Sequence, residues 1–261
     1  MRPGDILAAK QKALSYRRLE VPVAQLQERI SRYTEPVRSL TTIRGEFVDI
    51  VGEIRPPEHP LAGLFDPRIW GQEYAGAGCA AVAVCTDTIA HRGDSAYSRR
   101  ARRYMPLPVI SLDYVIDEYQ LYEARLWQSD AVTVPEAFLS DGEILRLMEV
   151  SAELQMTPVI MTDTVDGAKR AMELGAGYLL AIPLVWDGSC GVSPADVDCM
   201  AQICPDHARL IGYVPLLQRE AVEQMAEAGV HAVLGAPSSY DPSEAAIMIR
   251  QLQEIPRRVS Q

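Results

Sequence analysis

The chain has 261 residues, with 35 acidic side chains against 25 basic ones and a formal net charge of −10. Nearly half of the residues (48%) are hydrophobic, which excludes an intrinsically disordered chain and leaves ample material for a buried core. The net acidity argues against nucleic-acid binding, because a surface that neutralises phosphates needs an excess of lysine and arginine. No apolar run approaches the roughly 18 residues that span a bilayer, and no apolar stretch follows the N-terminus. We therefore expect a cytoplasmic protein without a membrane segment.

The predicted elements begin with helices. The first thirty or so residues have a helical pattern that Pro22 divides into two pieces, and we assign residues 1–46 to an N-terminal helical extension. From Val48 onward, short apolar runs alternate with amphipathic helical segments. The eight predicted strands are residues 48–54, 80–84, 107–110, 130–134, 158–161, 178–182, 209–214 and 232–234. Continuous apolar runs of this kind are typical of parallel strands that are covered on both faces.

Local signals delimit the helices between these strands. Asp66 precedes a proline, as at a helix start, and Ser140 and Glu143 have capping-box spacing. Asp163 or Thr164 can cap the helix that ends at Gly175. The helical segment over residues 218–227 ends at Gly229 in the same way, and the last helical segment runs from Asp241 to Glu254.

Eight alternations of strand and helix predict one fold, a single-domain (β/α)8 TIM barrel over residues 1–261. A doubly wound open sheet is the alternative, but it gives no reason for eight units. We expect a short, frayed tail at residues 256–261.

Cysteine and histidine do not form a recognisable site. Five cysteines are an odd number, which favours reduced thiols, and the four histidines have no metal-ligand spacing. We therefore expect neither a metal nor a cofactor. The run Arg99–Arg103 is interpreted first as a solvated helix face and alternatively as a patch for an anion or a partner.

Four segments resemble the indole-3-glycerol-phosphate synthase family in order and spacing. The most specific is Asp113–Arg125 (DYVIDEYQLYEAR), which is similar to the third βα loop and following helix of that family. The others are Val51–Arg55, Asp66–Asp87 and Ala226–Leu234, and the N-terminal helical extension matches as well. The resemblance implies a TIM barrel in tryptophan biosynthesis. It also implies closure of a phosphorylated carboxyphenylamino-deoxyribulose to indole-3-glycerol phosphate, with release of carbon dioxide and water.

The resemblance further implies a set of polar groups at the carboxyl ends of the strands, and this chain keeps a few of them. The family's strand-one glutamate is Glu53, and its strand-one substrate lysine is Arg55. Arginine can hold a carboxylate or phosphate but donates no proton at neutral pH. Strand eight keeps Gly235, with Ser238 and Ser239 near enough to bind the substrate phosphate.

The other family positions carry no acid–base group. Leu112 falls on the strand-three lysine that is the general acid, Met161 on the strand-five glutamate, Ile182 or Pro183 on the strand-six asparagine, and Val214-Pro215 on the strand-seven Ser-Gly. The basic loop after strand one reads Arg55–Pro60 here, with three prolines and with Glu58, which would repel an anionic substrate. These replacements predict that the mouth of the barrel, at the carboxyl ends of the strands, is apolar and lined by Leu112, Met161, Ile182 and Val214. They also predict that ring closure is lost.

Three hypotheses remain open. In the first, the barrel has lost ring closure and binds a phosphorylated or aromatic small molecule or a protein partner. Glu53 itself is either a retained catalytic or ligand-binding carboxylate, or a buried structural partner of Arg55 or another cation. In the second, it is a synthase that uses Glu53, Arg55 and other groups, such as Asp113, Asp163 or His59. In the third, the scaffold supports a different reaction. The first hypothesis requires that no lysine or carboxylate from elsewhere reach the ends of strands three and five opposite Glu53.

Overall fold

The computed structural model describes residues 1–33, 35–40, 43, 46–56, 65–185 and 190–258. Eight parallel strands close into a barrel in which each strand pairs with the next and β8 pairs with β1. The strands are β1 Asp49–Ile54, β2 Ala81–Cys85, β3 Val109–Leu112, β4 Ala131–Pro135, β5 Thr157–Thr162, β6 Tyr178–Ala181, β7 Arg209–Leu216 and β8 Ala232–Ala236. The predicted (β/α)8 TIM barrel is confirmed, and the open doubly wound sheet is wrong because the last strand pairs with the first.

Two helices precede the barrel, and the others alternate with its strands. The helices in the described ranges are α1 Pro3–Glu20, α2 Val23–Tyr33, α3 Pro67–Ala77, α4 Ala96–Arg102, α5 Glu118–Leu126, α6 Asp141–Glu153, α7 Val165–Glu173, α8 Pro194–Ile203, α9 Arg219–Glu227 and α10 Pro242–Leu252. As predicted, Pro22 lies between α1 and α2. Each of these helices is too short or too polar to cross a bilayer.

The predicted helix boundaries follow from local hydrogen bonds. Asp66 accepts a backbone N–H at the start of α3, and Ser140–Glu143 forms a reciprocal capping box at the start of α6. Thr164, rather than its neighbour Asp163, caps α7. Gly175 and Gly229 follow α7 and α9 with φ of 86° and 91°, which glycine adopts without a Cβ clash.

The barrel interior is a packed core rather than a channel. Alternate residues of each strand point inward, and these form one continuous buried apolar cluster. A second cluster lies between the outer face of the strands and the helices. The inward residues nearest the carboxyl ends of the strands therefore decide what the mouth of the barrel offers to a ligand.

The chain beyond α10 is held against the rest of the protein. Pro256 forms an antiparallel bridge with Phe47, and the Arg257 N–H donates to the Glu46 carbonyl at 2.8 Å. The Arg258 N–H donates to a carbonyl of α9 at 3.2 Å. The predicted fraying of the tail is therefore wrong for residues 256–258, because their backbone is hydrogen-bonded, and residues 259–261 lie outside the described ranges.

Candidate active site at the barrel mouth

Glu53 and Arg55 form an ion pair at the end of β1. The Arg55 Nη2 lies 3.0 Å from Glu53 Oε1 and donates a hydrogen bond of 3.2 Å to Oε2. Burial raises the pKa of the Glu53 carboxyl, which is 2% exposed, and the Arg55 charge opposes that rise. Burial alone would lower the pKa of Arg55, but Glu53 and the Tyr213 phenol beside it raise that pKa above its usual value. The carboxylate therefore has its charge compensated by a neighbour two residues away, as in a structural ion pair.

The ends of β3, β5 and β6 place hydrocarbon and thioether groups in the mouth. Leu112, Met161 and Ile182 are each at most 1% exposed and belong to the interior cluster. Of the two positions that could match the strand-six asparagine, Ile182 is the one in this cluster, and Pro183 is only half-buried. Leucine, methionine and isoleucine side chains have no titratable group, so these three strand ends can exchange no proton with a bound molecule.

Val214 does not line the mouth, and this part of the prediction is wrong. Successive side chains of a strand point to opposite faces, and on β7 the inward position is Tyr213. Val214 instead packs in the outer cluster between strands and helices, while Pro215, next along the strand, is half-buried. The resemblance located the residue pair along the sequence but not the face of the strand.

Helix α1 lies at the carboxyl ends of β2 and β3 and contributes to the packed interior of the barrel. Ile6 is fully buried and belongs to the same interior cluster as Leu112 and Met161. Tyr114, just after β3, is also fully buried, and its phenol donates to the Leu184 carbonyl at 2.8 Å. Its ring packs against two further rings, those of His91 at 6.0 Å and Phe138 at 5.7 Å between centroids.

Lys10 of α1 lies at the ends of β2 and β3 and is not among the site residues predicted from the sequence. Its Nζ is 2.7 Å from Asp87 Oδ1 and also contacts Asp113 Oδ1, while its side chain is only 3% exposed. Burial by itself would lower the pKa of Lys10, but the two carboxylates raise that pKa above its usual value. An ammonium held in this way is a poor proton donor, because catalytic groups have pKa values near the working pH.

Both carboxylates also organise their own loops. Asp87 accepts backbone N–H groups from Ala90 at 2.6 Å and His91 at 3.0 Å, and Asp113 accepts the Tyr114 N–H at 2.6 Å. Burial would raise the pKa of Asp87, but Lys10 and these hydrogen bonds lower it below its usual value. The three charged groups thus join α1 to the loops after β2 and β3.

The first hypothesis requires that no lysine or carboxylate from elsewhere reach the ends of strands three and five opposite Glu53. Lys10 reaches the end of strand three, so the strand-three part of this requirement is not met, but its ammonium is held by Asp87 and Asp113 rather than by Glu53. On strand five, Met161 stays within the apolar cluster, and Asp163 beyond it accepts the Leu184 N–H at 3.2 Å. His59 and the Pro57–Pro60 part of the loop after β1, including Glu58, lie outside the described residues.

The glycine assigned to phosphate binding has a packing role at its position. A Cβ on Gly235 would lie 2.7 Å from the Val214 carbonyl oxygen and 2.9 Å from Val214 Cγ2. These approaches are closer than real side chains make, so β8 needs a glycine here to lie against β7.

The two serines after β8 take part in the start of α10. Ser239 Oγ donates to Glu244 Oε2 at 2.7 Å and accepts the Asp241 N–H at 3.1 Å. The exposed Ser238 Oγ lies 3.5 Å from Met248 Sδ. With a carboxylate on its hydroxyl, Ser239 offers a phosphate a less favourable site than the sequence implied. The described residues contain no group of three or more metal-ligating side chains.

A family model described as indole-3-glycerol phosphate synthase matches residues 4–252. The chain belongs to the indole-3-glycerol phosphate synthase family. A relative of that name from Streptomyces griseus is 26% identical over 175 residues, which are 66% of this chain and 65% of the relative, so the match spans about two thirds of that protein. A relative of the same name from Parafrankia sp. is 29% identical over 229 residues, which are 87% of this chain and 80% of the relative.

A solved structure outside the indole-3-glycerol phosphate synthase family shares the fold. Orotidine 5′-phosphate decarboxylase from Pyrococcus horikoshii aligns with a TM-score of 0.59 and 13% identity, covering 78% of this chain and 98% of the other. At that identity the likeness concerns the barrel alone.

Proposed function

We propose that this member of the indole-3-glycerol phosphate synthase family does not close the indole ring and acts as a binding barrel for a small molecule or a protein partner. The observation that carries the proposal is the packing of Leu112, Met161 and Ile182 with Ile6 of α1 in one buried apolar cluster. In an active family member, the first two of these strand ends would carry a lysine and a glutamate.

Rate arithmetic supports the proposal. One positioned general acid or base contributes roughly 10²–10⁴ in rate, so losing two removes on the order of 10⁴-fold or more. The carboxylate that is retained, Glu53, is buried against Arg55, and the two strand ends where the family has a lysine and a second glutamate hold Leu112 and Met161 here.

The ion pairs at the mouth of the barrel also support the proposal that the ring is not closed. The family's substrate carries a phosphate and a carboxylate, and cations must receive both. Here Lys10 is engaged by Asp87 and Asp113, and Arg55 is engaged by Glu53. An anionic substrate would have to compete with these carboxylates for each cation, at a cost in binding energy.

A second candidate function is a synthase with a rearranged site, and Lys10 is the observation that favours it. In that case a movement of α1 would free the ammonium from one carboxylate, and Lys10 would serve as the acid near β3 in place of the missing lysine. Glu53 and Arg55 would then keep their family roles.

Turnover of the carboxyphenylamino-deoxyribulose phosphate, followed by the fluorescence of the indole product, separates the two candidates. We expect no turnover above the rate without protein, with the Streptomyces griseus relative as the positive control. Turnover by the unaltered chain would overturn the proposal. Its loss in both Glu53→Gln and Lys10→Met, with each variant shown by circular dichroism to be folded under the assay conditions, would establish the rearranged synthase.

The kind of ligand can be tested by thermal shift with phosphate, anthranilate and indole-3-glycerol phosphate. A shift with anthranilate or indole-3-glycerol phosphate supports a small-molecule function, and no shift with any of the three leaves the protein partner. The proposal includes a cytoplasmic location, which is supported by five cysteines that form no disulfide.

A further inference from the structure

The arginine run Arg99–Arg103 divides into one buried residue and an exposed surface. Arg102 is 1% exposed and forms an ion pair with Asp130, which fixes α4 to the barrel. Its guanidinium also donates to the Pro36 carbonyl. The solvated-face interpretation is therefore wrong for Arg102, while Arg99, Arg100 and Arg103 are exposed on the outer side of the helix.

Two guanidinium groups on the outer side of α3 and α4 lie over aromatic rings. The Arg99 Cζ lies 5.1 Å from the centre of the Trp127 ring, and the Arg68 Cζ of α3 lies 5.6 Å from that of Tyr104. Cation–π contacts of this kind restrict a guanidinium without neutralising its charge. Tyr104 is itself 44% exposed, so the surface offers apolar area beside its cations.

The carboxylate of Asp66 lies beside this surface and shows how the guanidinium groups of the surface bind an anion. Asp66 Oδ1 accepts from Arg68 Nε at 3.0 Å and Asp66 Oδ2 accepts from Arg68 Nη2 at 2.5 Å, while Oδ1 lies 3.9 Å from Arg100 Nη2. Planar guanidinium groups bind carboxylates in this two-pronged way and are enriched with tyrosine at protein interfaces. Arg68, Arg99, Arg100, Arg103 and Tyr104, which we call the arginine face, thus place four exposed cations at α3 and α4 on a chain of net charge −10, and two of them, Arg68 and Arg100, lie beside Asp66.

We propose that the arginine face is a docking surface for an acidic segment of a partner protein. A short segment can place a few carboxylates on these guanidinium groups and an apolar side chain on Tyr104. A nucleic acid fits less well, because its line of phosphates would extend from the face onto the acidic remainder of the protein. The proposal concerns the outer surface of α3 and α4, so it stands or falls independently of catalysis at the mouth.

The test is fluorescence anisotropy of the full chain with a labelled peptide of glutamates flanking one tryptophan. We expect saturable binding that weakens with added salt and is reduced about tenfold or more in Arg99→Glu/Arg103→Glu. The matched control is Arg29→Glu/Arg32→Glu, which makes the same charge change at exposed arginines of α2 and should stay within about twofold of the unaltered chain.

A third variant, Tyr104→Ala, separates docking from simple attraction between charges. It keeps every charge of the face, and we expect it to weaken the peptide as well, since the tryptophan loses its apolar contact. Three results would overturn the proposal: no saturable binding, equal losses in the two arginine double variants, or tighter binding of a single-stranded oligonucleotide than of the peptide. Far-ultraviolet circular dichroism and thermal unfolding of each variant confirm that it is folded.

Discussion

Substituting Lys10 by methionine removes the ammonium that joins α1 to the loops after β2 and β3. The methionine preserves most of the buried chain but leaves Asp87 and Asp113 facing each other without their shared cation. The Asp87 side chain is fully buried, and that of Asp113 is 15% exposed, so solvent screens the repulsion poorly. Removing one partner from a buried ion pair costs about 3–5 kcal/mol, and we expect a loss of that size in the free energy of unfolding near neutral pH.

The loss should depend on pH in a defined direction. Lys10 helps to hold the pKa of Asp87 below its usual value in the folded protein, so this group contributes stability above the pKa of the unfolded chain, about 3.9. That contribution disappears as the pH falls through the folded-state pKa, because the carboxylate then takes up a proton. The difference between the unaltered chain and Lys10→Met should therefore shrink on acidification.

Urea unfolding at neutral and acidic pH, followed by circular dichroism, measures both effects. Lys12→Met is the matched control, because Lys12 lies on the same helix and is exposed. In Lys10→Met/Asp113→Asn, which also removes one of the two negative charges, we expect part of the stability to return. A loss below about 1 kcal/mol in Lys10→Met, or an equal loss in Lys12→Met, would refute the reasoning.

Two further predictions concern a glycine and a carboxyl group. Gly235→Ala should lower the free energy of unfolding by about 1–3 kcal/mol, because its Cβ would meet the Val214 carbonyl; thermal unfolding measures this, and an unchanged midpoint would contradict the packing role. Burial raises the pKa of Glu123 to about 7, although Arg17 beside it opposes the rise. The folded chain therefore holds a proton that the unfolded chain has lost, and stability should fall as the pH rises from about 4.5 to about 7, by on the order of 3 kcal/mol. Glu123→Gln should remove this fall in urea unfolding, and a fall that persists would assign it to other groups.

The sequence predicted which residues lie at the ends of the strands better than it predicted whether each side chain points into the barrel or toward the helices. The resemblance placed Leu112 and Met161 at the mouth, and both lie there. It placed Val214 there too, yet Tyr213 is the inward residue. A buried strand of a parallel barrel is apolar on both faces, so its sequence has no alternation from which the inward side can be identified.

The amino-acid sequence by itself determined the barrel. Its apolar runs, capping residues and turn glycines act within a few residues of each other, so the elements and their order can be identified without knowing what packs against them. The tertiary structure decided the chemistry of the mouth, because that depends on groups far apart in sequence. Lys10 meets Asp113 across 103 positions. The signal for this contact was present in the stripe of Ile6, Lys10 and Leu14, one helical turn apart on the buried face of α1. Only the docking of that helix, however, could show which carboxylates its lysine would reach.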